Sequence, residues 1–202
     1  MSNPILLVIA GCNGSGKSSF SNVLTPEDLL PFDYDIHFLD FFNSLLDSEL
    51  REKMAHNKAR EFLKQSVKQA FSKKTDFCYE TNFNSTPLFW PEKFKKEGYK
   101  LDMVYFCLDS ITEAKRRVQI RVENGGHFVP EKEIEARFYL GYENLNKHLG
   151  YFENVHLLDS SHYSKAPRHL LSLSKGEISS LTTFPKHLEQ LLPAFYSLVI
   201  KQ

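Results

Sequence analysis

The chain has no excess of charge of either sign: 25 lysines and arginines stand against 25 aspartates and glutamates. A net field that would draw in nucleic acid or an anionic membrane surface is thereby excluded, and any anion must be held by local geometry. Cysteine is scarce. Cys12, Cys78 and Cys107 are an odd number without metal-ligand spacing, which excludes a disulfide framework and fits a reduced, cytoplasmic setting. Long hydrophobic runs are missing too. The apolar stretch from Ile5 to Ala10 is far short of the roughly 20 residues of a membrane span, and it lacks the charged leader and cleavage site of a signal peptide. His37, His56, His148, His156, His162, His169 and His187 show no ligand spacing, and there are no repeats or low-complexity linkers. What remains is 202 residues, 42% of them hydrophobic, enough for one substantial core. Residues 1–202 are therefore read as one domain.

Within it, β-rich runs at Ile5–Ile9, Asp76–Tyr79, Leu101–Leu108 and Val155–Leu158 alternate with segments of helical periodicity. This alternation predicts an α/β fold with a mostly parallel central sheet between helical layers. A short strand from Phe32 to Asp35 would complete a five-stranded core. Ser110 is placed to cap a helix running through Arg117 and Arg121, and Pro87 and Pro130 mark first turns of two others. Glu49 to Lys74 reads as a long charged helix. Beyond Ser161, two apolar runs flank Lys175-Gly176 and predict a hairpin, followed by a helix from Pro185 to Val199.

The segment Gly11-Cys12-Asn13-Gly14-Ser15-Gly16-Lys17-Ser18 satisfies Gly-x4-Gly-Lys-Ser, directly after the first strand and before a helix. Its glycines let successive backbone N–H groups and the helix N-terminus turn towards phosphate oxygens. Lys17 supplies a mobile charge for the β- and γ-phosphates, and the Ser18 hydroxyl is a ligand for Mg²⁺. Residues 11–18, with Ser19, are the candidate site for ATP or GTP, and Cys12 reads as a small filler.

Phosphoryl transfer to an alcohol needs a group that orients or deprotonates the hydroxyl, at the carboxyl edge of the sheet beside this loop. Asp35, at the end of the second predicted strand, is assigned as general base. Glu80, ending the third, is assigned to the substrate or to a Mg²⁺-bound water, and the two roles are interchangeable at this level. Asp33 is the nearest competitor of Asp35. Arg117 and Arg121 share a helix face, Glu123 to Pro130 forms a glycine-rich hinge containing His127, and Arg137 follows on the next helix. Such a helical lid carries cations that can close on the γ-phosphoryl group; Arg117 is assigned to the nucleotide and His127 to the neighbourhood of the phosphate. Asp159 and Ser160 are read as a wall on the adenine side.

Together, the P-loop, Phe32-Asp33-Tyr34-Asp35, Phe77-Cys78-Tyr79-Glu80-Thr81, Lys96-Glu97-Gly98-Tyr99, the arginine helix and Gly125-Gly126-His127-Phe128-Val129-Pro130-Glu131 with Ile134 and Arg137 resemble the zeta-toxin-like P-loop kinases. The resemblance spans about residues 4–161, leaving 162–202 as a C-terminal hairpin and helix. It implies a P-loop NTPase three-layer sandwich in which Lys17 meets the phosphates, Asp35 is the catalytic base, Arg121 and Arg137 bind phosphate from the lid, and Glu80 and Thr81 lie on the substrate side. It also implies ATP or GTP with Mg²⁺ as cofactors, a small-molecule hydroxyl acceptor such as UDP-N-acetylglucosamine or another nucleotide sugar, and an antitoxin protein as a candidate partner. Tyr34 and the aromatic run Phe38, Phe41, Phe42 depart from the family pattern and would reshape the acceptor pocket. The competing reading is a P-loop NTPase or nucleotide-responsive binding module without a small-molecule acceptor.

Overall fold

A computed structural model describes residues 3–26, 29–126 and 128–201. Its centre is a six-stranded sheet in the order β2-β1-β3-β4-β5-β6, formed by β1 (Ile5–Ala10), β2 (Phe77–Thr81), β3 (Lys100–Cys107), β4 (Asn154–Asp159), β5 (Arg168–Ser174) and β6 (Glu177–Leu181). The first four are parallel, and β5 and β6 are antiparallel. Strand β1 lies between β2 and β3 and is apolar along its whole length because both of its faces are covered. Its alternate residues separate cleanly: Leu6, Val8 and Ala10 enter the larger core, while Ile9 joins Cys78, Phe106 and Leu158 in a smaller one.

Helices cover both faces. Phe20 of α1 (Lys17–Leu24) packs on the smaller cluster. The larger one receives Phe94 from α4 (Phe89–Lys96), Val118 from α5 (Ile111–Glu123), Ile134, Phe138 and Tyr142 from α6 (Glu131–Lys147), and Leu188 and Phe195 from α7 (Lys186–Leu191) and α8 (Pro193–Val199). The three-layer α/β arrangement expected from the sequence is thus present. So is the cap on α5, where the Ser110 hydroxyl accepts the Glu113 N–H at 3.2 Å.

Two expectations are corrected. The segment from Phe32 to Asp35 is no strand: Phe32 makes one parallel bridge with Tyr79, and the chain then turns into α2 (Tyr34–Ser44). The cause is Asp33, whose Oδ1 accepts the N–H groups of Asp35 at 2.8 Å and Ile36 at 3.4 Å and starts a helix where a strand would have continued. Asp35 accordingly sits in the first turn of a helix. The C-terminal helix is likewise two, because Leu192 leaves helical geometry (φ −127°, ψ 56°) just before Pro193. The long charged helix forms as α3 (Arg51–Lys73) and packs against α2 through Phe38, Ala55 and Ala59.

In-register parallel pairing places Ile9 beside Glu80 and Ala10 beside both Thr81 and Tyr105. The carboxyl ends of β1 and β2 therefore finish at one level, with β3 running two residues further, and the loops leaving them converge.

Candidate active site

The loop between β1 and α1 approaches its surroundings too closely for side chains. A Cβ on Gly11 (φ 144°) would lie 2.7 Å from the Phe106 carbonyl oxygen, and one on Gly14 (φ 78°) 2.8 Å from that of Ala114. These contacts seat the loop on β3 and α5. Gly16 caps α1 without a side-chain acceptor; Ser19 N–H donates to the Gly16 carbonyl at 3.2 Å, and the N–H groups of Lys17 and Ser18 are left for an anion. Lys17 Nζ folds back over the loop, donating to the carbonyl oxygens of Gly11 (2.8 Å) and Cys12 (3.0 Å) and to Asn82 Oδ1 (3.4 Å).

A cavity of about 1000 Å³ opens in front of this loop, large enough for a nucleotide with a second small molecule. Asn13, Gly14, Gly16, Lys17, Ser18 and Ser19 reach its wall; Gly11, Cys12 and Ser15 stand behind it. Burial pushes the Cys12 thiol up to about 11 against the opposing pull of Lys17 and Arg117, so Cys12 fills space as an inert thiol. Ser15 is fully buried, and its N–H turns inward to the Cys12 carbonyl at 3.2 Å.

The cluster at the mouth of the loop is rich in acceptors. Ser18 Oγ lies 2.7 Å from Asp33 Oδ2 and 2.8 Å from Glu80 Oε2, while Ser21 donates to Glu80 Oε1 at 2.8 Å. One hydroxyl proton cannot serve two carboxylates. Burial raises the Glu80 pKa above its ordinary value; Lys17 opposes this and the neighbouring Asp33 reinforces it. Two carboxylates and a hydroxyl sharing one proton form an oxygen donor set that suits Mg²⁺, which takes few protein ligands and completes its shell with water and phosphate. Among the described residues no three His, Cys, Asp or Glu side chains converge, so a cation here would rest on Ser18, Asp33 and Glu80. Glu80 thus faces the P-loop helix more than the acceptor side. Thr81 lines the cavity and accepts the Phe83 N–H at 3.0 Å.

Both oxygens of Asp33 are committed, one to the helix cap and one to Ser18. Asp35 lines the same cavity, and among the described residues its carboxylate accepts no hydrogen bond. The two acids that were hard to separate in sequence therefore occupy different stations.

On the lid side, Arg117 is a brace. Its side chain is only 6% exposed; Nε meets Glu113 Oε1 at 2.6 Å, Nη2 the Ser161 carbonyl at 2.8 Å and Nη1 that of Gly14 at 3.4 Å. It ties the loop after β4 to the P-loop. Arg121 lines the cavity, and a Cβ on Gly126 would come within 2.5 Å of Arg121 Cγ, which ties the glycine-rich turn to that side chain's path. Arg137 crosses from α6 to the P-loop, donating to Asn13 Oδ1 at 3.2 Å while Glu133 holds its other nitrogen at 2.5 Å. His127, also a candidate, lies outside the described residues. Tyr163, whose ring centre is 5.3 Å from the guanidinium carbons of both Arg116 and Arg117, lines the cavity where Asp159 and Ser160 were expected; Ser160 instead bonds the Cys107 carbonyl at 2.9 Å.

Asn82, Ser21 and Tyr163 are site residues that sequence reasoning missed. Asn82 carried a signal, being two residues past Glu80 at the end of a strand beside the P-loop. Tyr163 carried none.

The model of a protein family described as zeta toxin matches residues 1–162. The chain belongs to the zeta toxin family. No curated protein sequence matches it significantly. Among solved structures it is similar to a chain of the Pnkp1/Rnl/Hen1 RNA repair complex (24% identity, TM-score 0.58, covering 73% of this chain and 47% of that one). It is also similar to a chain of the AvrRxo1-ORF1:AvrRxo1-ORF2 structure with sulphate ions (14% identity, TM-score 0.71, 94% and 63%). A third is from the PezAT chromosomal toxin–antitoxin system of Streptococcus pneumoniae (15% identity, TM-score 0.55, 100% and 88%). These likenesses are of fold. The chain spans about half to two thirds of the length of the first two.

Proposed function

We propose that this zeta toxin family member transfers the γ-phosphoryl group of ATP or GTP to a hydroxyl of a small molecule. The observation that carries the reading is the pairing of a P-loop with a carboxylate that accepts no hydrogen bond among the described residues: Asp35 opens into the cavity that Lys17, Arg121 and Arg137 also line. A nucleotide hydrolase needs the phosphate site but has no use for a cavity that extends past it along α2 and α3.

In this reading Lys17 exchanges its carbonyl partners for the β- and γ-phosphates, and the α1 N-terminus holds the phosphate chain. Ser18, Asp33 and Glu80 would hold Mg²⁺, which when bound neutralises phosphate charge. Asp35 accepts or orients the proton of the attacking hydroxyl, and Arg121 and Arg137 meet charge on the transferred group from the lid. Arg117 keeps the P-loop and the Tyr163 segment in register for the nucleotide. The resemblance read in the sequence suggests a nucleotide-sugar candidate, UDP-N-acetylglucosamine, and the likeness to a toxin–antitoxin structure supports an antitoxin as a protein partner.

The test separates binding from transfer. Asp35→Ala is expected to lower transfer by roughly 10²–10⁴-fold with nucleotide affinity unchanged, whereas Lys17→Ala weakens both. Transfer that survives in Asp35→Ala would remove the assigned base.

A further inference from the structure

The loop that leaves β4 is pinned at several points. The N–H and the hydroxyl of Ser160 both donate to the Cys107 carbonyl at 2.9 Å, the Ser161 N–H donates to Asp159 Oδ1 at 3.0 Å, and the Ser161 carbonyl accepts Arg117 Nη2 at 2.8 Å. The Lys165 N–H closes the turn on the His162 carbonyl at 3.1 Å. Tyr163 stands on this turn, one residue past the end of the family match. It lines the cavity and is still 57% exposed, so a large aromatic surface is held open on a fixed loop.

Two cations hold the ring, and they hold it from one side. Arg116 Nη2 and Arg117 Nε bond the same Glu113 oxygen, Oε1, at 2.7 and 2.6 Å, so their guanidinium groups lie together, each with its carbon 5.3 Å from the Tyr163 ring centre. Groups gathered on one oxygen cannot straddle the ring, which leaves its other face to the cavity. The sheet order fixes where this face stands. With strands in the order β2-β1-β3-β4, the P-loop leaves β1, Glu80 ends β2 on one side of it, and the Tyr163 loop leaves β4 on the other. A nucleotide whose γ-phosphate lies towards Ser18, Glu80 and Asp35 therefore carries its base towards Tyr163.

We infer that the free face of Tyr163 is the platform on which the base of the nucleotide stacks. The inference rests on the nucleotide-dependent transfer proposed above and adds to it the place of the base. Because Arg116 and Arg117 fix the ring before anything binds, little side-chain freedom is lost when a base lies on it. A stacked ring meets the π-face that every base has, so Tyr163 contributes equally to ATP and GTP.

The experiment titrates ATP, GTP and inorganic tripolyphosphate, each with Mg²⁺, into the purified full chain, its Tyr163→Ala variant and its Tyr163→Phe variant, with heat of binding as the readout. Tyr163→Ala is expected to raise the Kd of ATP and of GTP by roughly tenfold or more and by similar factors. Tripolyphosphate, which has no base, is expected to bind Tyr163→Ala as it binds the parent, which also shows that the variant is folded. Tyr163→Phe is expected to keep the parent values, since the ring and not the hydroxyl makes the contact. Tripolyphosphate weakened as much as ATP would make Tyr163 a prop of the P-loop and overturn the inference. So would an unchanged Kd for ATP in Tyr163→Ala, or a loss in Tyr163→Phe as large as that in Tyr163→Ala. Any of these leaves the transfer reading standing; a parent chain that binds neither nucleotide nor tripolyphosphate overturns both.

Discussion

Glu80 is the residue on which function and stability pull apart. Burial holds its pKa above the usual carboxylate value, with Asp33 adding to the shift against the pull of Lys17. The sign follows: what a raised carboxyl pKa contributes to stability is complete below the ordinary value and is lost as pH rises through the folded-state value. Without metal or nucleotide, Glu80→Gln should therefore melt higher than the parent at neutral pH, by about 2–4 °C if the change is ~1 kcal/mol, with the gap closing in acid. The same variant should lose transfer, since a donor to the cation site is gone; thermal denaturation and a transfer assay on one preparation check both. The neighbouring acids show where sequence reading stops. The spelling Asp33-Tyr34-Asp35 supplied two candidates, and choosing between them required knowing that Asp33 spends one oxygen on a helix cap and the other on Ser18. Capping is visible in sequence only once the helix is known to start there, and the apolar Phe32 beside Asp33 pointed to a strand instead.

Among the elements, the lid was legible because its parts are local: a serine cap, an arginine pair four residues apart and a glycine-rich hinge. The wall formed by α2 and α3 was half legible. Helix α3 announces itself by length and charge, but α2 carries three phenylalanines among its 11 residues, a composition that favours strand at its first turn. What ties α5 to the P-loop is Arg117, and what fixes Arg117 is Glu113. Hydrogen bonds from Arg116 first, and then from Arg117, against a desolvation cost, hold the Glu113 carboxyl down to about 2 from an ordinary 4.5. A depressed carboxyl pKa contributes stability that is present above the ordinary value and is lost as pH falls through the folded-state one. Glu113→Gln should thus melt below the parent at neutral pH, with the difference shrinking between about 4.5 and about 2. Loosening of Arg117 from Gly14 should also weaken nucleotide binding roughly tenfold, the ~1.4 kcal/mol scale of a charged hydrogen bond. Melting curves across pH and a nucleotide titration check the two parts; equal melting at all pH values would dissociate Glu113 from the brace.

For the whole molecule, the family match ends at residue 162, yet the fold does not. Strands β5 and β6 continue the central sheet from β4, and Leu170, Leu171, Leu188 and Phe195 are fully buried in the main core. Cutting the chain after residue 161 would expose the β4 edge and those side chains, so the shortened form should be insoluble or molten, checked by expression and near-ultraviolet circular dichroism. The hairpin was readable from its Lys175-Gly176 turn; its place in the sheet was not, because a turn motif fixes the pairing of its own two strands and says nothing of a third. All of these parts serve one arrangement, a phosphate loop facing an uncommitted acid across a cavity. The most direct measurement is the fate of labelled γ-phosphate when the full chain meets Mg²⁺, ATP and the pooled small molecules of a cell extract. The expected result is label in an organic phosphomonoester, lost in Asp35→Ala while nucleotide still binds. Label released only as inorganic phosphate, unchanged by Asp35→Ala, would contradict the account.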